Sequence, residues 1–165
     1  MTTKALKRGA AILATCAVVA TAFVLFATSA VPAAADALDA KQEAVIAMVK
    51  RVQEKFKRDG LPATIESVND KSVAEFHDRD LYAFIYRQGV CLANGARPAL
   101  VGKNLISLKD QDDKYLIKEM LAIAEGPGSG WLTYKWPSPV TNKIEDRGAY
   151  IEKMDVYFVG VGYDK

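Results

Sequence analysis

Gly130-Trp131-Leu132-Thr133-Tyr134-Lys135-Trp136-Pro137-Ser138-Pro139 is the stretch on which the fold turns. From Trp131 to Trp136 the side chains alternate. Leu132, Tyr134 and Trp136 fall on one face and Trp131, Thr133 and Lys135 on the other, which is the period of a β-strand. Pro137-Ser138-Pro139 breaks the strand. Beyond it, Tyr150–Met154 and Val156–Tyr163 read as two further antiparallel strands, the last with Phe158, Gly160 and Gly162 on a shared face.

Upstream, Gly126-Pro127-Gly128-Ser129-Gly130 closes a helix. Acids at Asp110, Asp112 and Asp113 favour a helix N-terminus, so that helix is expected to open there and run to about Glu125. Its apolar side is Leu116, Ile117, Met120, Leu121 and Ile123-Ala124. Before it, Leu81–Tyr86 and Val90–Ala93 read as two strands around the turn Arg87-Gln88-Gly89, a hairpin. Asn94–Pro98 is loop. Further back, Leu38, Val45, Met48, Val49, Val52 and Phe56 recur at helical spacing, with Lys50, Arg51, Glu54, Lys55 and Lys57 opposite. A long amphipathic helix is therefore expected from Ala37 to about Arg58, ending at Asp59-Gly60 with Pro62 beyond. Its stripe needs a partner, either the chain's own sheet or a second copy of the same helix. A short second helix is expected over Ala63–Phe76. The sum is an α+β domain with helices on one side of an antiparallel sheet.

The N-terminus reads as an export signal. Lys4, Lys7 and Arg8 precede an uncharged run from Gly9 to Ala35, and small residues at Ala33 and Ala35 suit cleavage after Ala35. That divides the chain into a signal peptide, 1–35, and one domain, 36–165, periplasmic or secreted. The run is also long enough for an uncleaved anchor. Thr15 before Cys16 is unsuited to a lipobox. The leader holds three of the 22 Lys+Arg and none of the 20 Asp+Glu, so the remainder carries 19 against 20, net −1. The sequence pI of 8.4 is thus partly the leader's. No basic patch with interleaved aromatics remains, which argues against nucleic acid as a partner. Cys91 alone follows the leader, in the apolar Val90-Cys91-Leu92-Ala93, and reads as a buried strand residue.

Catalytic constellations are missing. One histidine, His77, and the single cysteine after the leader, Cys91, cannot make an ordinary zinc site, and His77 beside Asp78 reads as a structural hydrogen-bonding residue. The glycines at 126, 128 and 130 leave a helix and enter a strand, the reverse of a phosphate loop. The Asp110–Asp113 acids have Lys114 where a calcium loop needs an oxygen ligand. There is no G-x-S-x-G elbow. The expectation is a non-enzyme with neither metal nor cofactor.

Five blocks in order carry a resemblance: Phe76-His77-Asp78-Arg79-Asp80-Leu81-Tyr82-Ala83-Phe84; Val101-Gly102-Lys103-Asn104-Leu105 with Lys109-Asp110; Gly130 to Pro139; Ala149-Tyr150-Ile151; and Val159-Gly160-Val161-Gly162-Tyr163. Together, over roughly Ala37–Tyr163, they resemble the single Cache domain of the second type, an extracytoplasmic sensor of chemoreceptors and histidine kinases. The resemblance implies a PAS-like α+β fold, with a long N-terminal helix packed along a five-stranded antiparallel sheet. It also implies a small ligand, often a short organic acid, held between the sheet and its covering loops.

A small carboxylate needs a cation or several donors and apolar walls. Arg offers a planar fork, and Tyr and Trp a donor on a rigid apolar body. Candidate ligand-binding residues are Tyr82 and Asn94 of the hairpin, Tyr134 and Trp136 of the alternating strand, and Arg147 with Tyr150 at the start of the next. Asn94 stands where the family often has His, and Arg147 where it often has Lys. A neutral amide can donate a hydrogen bond but cannot charge-pair. The sequence ends at Lys165 without an output domain, so a membrane-bound signalling partner is expected. The alternative is an accessory protein with a closed pocket acting through its N-terminal helix, as a homodimer or a docked subunit.

Overall fold

The computed structural model describes residues 34–165; the leader, and with it the expected signal peptide, lies outside the described residues except for its last two positions. Helix α1 (Ala34–Asn69) is two helical segments joined at Gly60, whose φ of 79° and ψ of 173° are not helical. Only glycine takes that conformation cheaply. Pro62 then sits in the first turn of the second segment, where its missing N–H costs nothing, and the Thr64 hydroxyl donates to the Gly60 carbonyl at 2.8 Å. The expected break at Asp59-Gly60 is therefore present. The second helix, expected to reach Phe76, stops at Asn69. Asp70 ends it by accepting from the backbone N–H and the hydroxyl of Ser72 at 2.9 and 2.7 Å, and one 3₁₀ turn follows at Ala74–Phe76.

The strands are β1 (His77–Asp78), β2 (Leu81–Arg87), β3 (Val90–Asn94), β4 (Ser129–Pro137), β5 (Ile144–Met154) and β6 (Tyr157–Asp164). They form one six-stranded sheet of antiparallel pairs in which β2 pairs with β6, β6 with β5, and β5 with β4. The other edge of β2 is shared by β1 and β3. Five of these strands match the expected set; the sixth, β1, is two residues long and too short to leave a period in the sequence.

Helix α2 (Leu116–Glu125) begins later than expected. Asp110 organises a turn instead: its carboxylate accepts from the N–H groups of Asp112, Lys114 and Lys135 at 2.9, 3.0 and 3.1 Å. Burial opposes ionisation there, but these donors hold its pKa below the usual carboxylate value. Asp113 takes a φ of 60°, which no helical residue could.

Both faces of the sheet are covered, which corrects the expectation of helices on one side. Every residue from Leu81 to Tyr86 is buried, so β2 reads as a continuous run rather than an alternation. Leu81, Ala83 and Ile85 point to α1 and pack with Val45, Met48, Val49, Val52, Val159 and Val161. Tyr82, Phe84 and Tyr86 point the other way, to α2, among Leu116, Ile117, Met120 and Phe158. The stripe of α1 thus has its partner in the chain's own sheet.

Candidate ligand-binding site

The α2 face of the sheet holds the cavity. Its floor is Tyr82, Phe84 and Tyr86 of β2 with Tyr134 and Trp136 of β4; Asn94 closes one end, and Leu100, Leu108, Leu116, Ile117 and Met120 form the roof. The period of two puts the three β2 rings on one face, and Phe84 and Tyr86 meet edge to face with centroids 5.8 Å apart. The cavity is small, about 30 Å³. That is room for roughly two waters.

Of the sequence candidates, Tyr82, Asn94, Tyr134 and Trp136 line this space. Arg147 lies beneath it. Register sets it opposite Tyr134 across β4 and β5, and it is wholly buried. Its guanidinium pairs with Asp164, donates to the Asp80 carbonyl at 3.0 Å, and lies 5.2 Å from the Tyr82 ring centroid. Its Nε has no partner. The three groups converge over Gly162: a β-carbon there would lie 3.0 Å from the Tyr134 hydroxyl, 3.4 Å from Arg147 Nη2 and 3.7 Å from Tyr82 Cζ. Burial pushes both phenols above the ordinary tyrosine value, against the opposing pull of Arg147. The cavity floor is therefore a neutral pair of hydroxyls backed by a compensated cation.

Tyr150 does not join them. It is three residues from Arg147, so the two side chains leave opposite faces of β5. Tyr150 packs on the α1 side, 5.0 Å from the Trp131 ring. Asn94 is engaged as a turn organiser: its carbonyl accepts the Arg97 N–H at 2.8 Å, and its own N–H donates to Asn69 Oδ1 at 2.9 Å. Its amide NH₂ group remains able to donate.

The roof was not among the sequence candidates, nor were Phe84 and Tyr86. The two rings were visible as part of an aromatic run, and the burial of the whole run was the missing signal. Cys91 is buried beside Tyr86, and burial raises its thiol pKa, which disfavours the reactive thiolate. His77 plays the structural part expected, with Nδ1 against the Val73 carbonyl at 3.1 Å. Among the described residues, no group of three or more His, Cys, Asp or Glu is arranged to hold a metal, and no helix is long and apolar enough to cross a membrane.

A family model described as the Cache domain matches residues 28–163. The chain belongs to the Cache domain family. One curated relative is the sensor histidine kinase MctS of Rhizobium johnstonii, 30% identical over 87 residues, which are 52% of this chain and 19% of that protein. The Cache chain thus spans about a fifth of that relative. Among solved structures, a methyl-accepting chemotaxis protein from Vibrio parahaemolyticus superposes with a TM-score of 0.66 at 24% identity, covering 79% of this chain and 92% of that one. A periplasmic sensor domain of a chemotaxis protein gives 0.60 at 20%, over 78% and 93%. A Cache chemosensory domain solved for carboxylic acid recognition gives 0.61 at 18%, over 81% and 99%. These likenesses establish the Cache fold of the chain, with its long helix and antiparallel sheet.

Proposed function

We propose that this Cache domain is an exported sensory module that binds a small organic acid in the cavity between the sheet and α2, and passes the signal to a membrane-bound partner. One observation carries the reading: apolar walls converge on two hydroxyls, Tyr82 and Tyr134, with the buried Arg147 behind them. That is the make-up of a site for a short acid, with a carbon end among Leu and Met and an oxygen end among donors. The carboxylic acid recognised by one structural neighbour supports the ligand class. The size of the cavity supports a ligand of few atoms and requires the roof, Leu100 to Met120, to yield on entry. No catalytic role is proposed for any residue.

The test is a thermal-shift and calorimetric titration of the purified protein with carboxylates of two to four carbons. Saturable stabilisation by at least one acid, weakened in Tyr134→Phe, is the expected result. No stabilisation at millimolar concentrations across the series would sink the reading.

The small cavity also favours a second reading, an accessory protein whose pocket is closed by its own aromatic side chains. Because the stripe of α1 is covered by the sheet, such a protein would have to act through the outer face of that helix. Light scattering showing a dimer that persists in variants of that face would remove this alternative.

A further inference from the structure

Beside the central cavity lies a groove whose charge the fold leaves uncompensated. It has a volume of about 410 Å³ and is lined by Lys71, His77, Arg79, Arg97 and Asn142, with Tyr82 at its inner wall. Three of its lining side chains are cations and none is a carboxylate. Among the described residues, Lys71 and Arg97 take part in no ion pair. Arg79 meets its neighbour Asp78 at 2.9 Å, but 78% and 49% of those side chains are exposed, and such a pair is worth little in water.

Local structure fixes the backbone from which these groups extend. Arg97 is anchored by its own N–H, which donates to Asn94 Oδ1 at 2.8 Å. Arg79 occupies the tight turn between β1 and β2 with a φ of 55°, and Lys71 follows the end of α1. Three cations from three separate segments thus line one groove in which only Arg79 has a carboxylate neighbour, and their mutual repulsion falls when an anion enters. Two guanidinium forks suit the planar oxygen pairs of carboxylates and the oxygens of phosphate.

We propose that this groove is a second binding site, for a compact anion of two or more negative charges, a phosphate or a di- or tricarboxylate, held by Lys71, Arg79 and Arg97. The site is open to water, so its affinity is modest and falls with salt. None of the three cations lines the central cavity, so the site stands or falls independently of the organic-acid reading. Tyr82 lines both spaces, and the charge of Arg97 already acts on its phenol.

The test titrates inorganic phosphate and citrate separately into the purified protein at low ionic strength, with acetate as the singly charged control. At least one of the two polyvalent anions is expected to bind saturably in the groove, its amide-resonance shifts centring on Lys71, Arg79 and Arg97; which one binds assigns the source. The double variant Lys71→Gln/Arg97→Gln is expected to weaken that binding about tenfold or more through loss of charge-assisted hydrogen bonds. Both side chains are solvent-facing or half-exposed, so the variant is expected to keep its fold, as its unchanged circular dichroism and melting profile would show. Tyr134→Phe, in the cavity, is expected to leave the binding unchanged. The proposal is overturned if neither anion binds at millimolar concentrations, if binding survives the double substitution, or if acetate shifts the same resonances with equal affinity.

Discussion

Arg147 sets the terms at the scale of a residue. Among the described residues it heads the largest wholly buried side chains, and a buried guanidinium is tolerated only where its charge is met. Asp164 meets it, and is itself held by the Ser138 hydroxyl at 2.7 Å. The Asp164 side chain keeps 19% of its surface exposed, so its loss of a partner is partly relieved by water. Arg147→Met is therefore expected to destabilise the domain by about 3 kcal/mol, the low end for breaking a buried pair, read as a lowered urea midpoint at unchanged slope. A neutral outcome would show that the pair adds specificity and not stability. The tyrosines around it make a second expectation. Burial raises the phenols of Tyr82, Tyr86 and Tyr134 above 10.0 in the folded state. The unfolded chain releases those protons first, so it binds fewer than the native state, and stability is complete below about pH 10 and falls above it. Each such group steepens the fall by about 1.4 kcal/mol per pH unit. Tyr86→Phe is expected to flatten the alkaline slope in denaturant titrations as pH rises from about 10 to about 11, approaching that share at the upper end; an unchanged slope would mean its hydroxyl reaches water.

Between strands, the recurring device is a glycine opposite an aromatic ring. Register sets Phe84 across from Gly160, Tyr82 across from Gly162 and Tyr163 across from Gly148. A β-carbon on Gly160 would lie 2.4 Å from the Phe84 ring and 2.7 Å from Ile151 Cδ1. The ring occupies the space that a side chain on Gly160 would fill and covers the backbone there. Gly160→Ala must push Phe84 off this seat and is expected to cost about 2 kcal/mol, in the range of overpacked cores, with a drop in melting temperature as the measurement. These pairs also show what the sequence could reveal. The alternation of Trp131–Trp136 placed Tyr134 and Trp136 together, as the cavity requires, and the Gly60 break in α1 followed from its own chemistry. Tyr150 was misplaced relative to Arg147 because spacing within a strand decides the face, and three residues cannot share one. The roof was hidden for a different reason. Leu100 ends a 3₁₀ turn at Pro98–Leu100, and Leu108 lies in a turn closed by its own N–H on the Leu105 carbonyl at 2.9 Å; both segments are too short to leave a period.

The described residues form one sheet with a core on each face, and that arrangement links stability to the proposed function. Met48 lies on the α1 side and Met120 on the α2 side, 1% and 3% exposed, in clusters that share no buried residue. Each Met→Ala change is expected to cost about 2–5 kcal/mol. Without shared partners the two costs are expected to add to within about 0.5 kcal/mol, in a single transition, because both cores rest on the same strands. Two transitions, or a large coupling, would show that the faces unfold separately or communicate through the sheet. The two substitutions diverge at the ligand. Met48 is remote from the cavity, so Met48→Ala is expected to leave the order of preference among short acids as it is. Met120 forms part of the roof over a space of about 30 Å³, and its truncation removes atoms directly above the floor of Tyr82 and Tyr134. Met120→Ala is therefore expected to lose stability in buffer and to regain more of it from a four-carbon acid than the unaltered protein does, in a thermal-shift series of increasing chain length. If both variants rank the acids alike, the cavity beneath α2 is not where the acid binds.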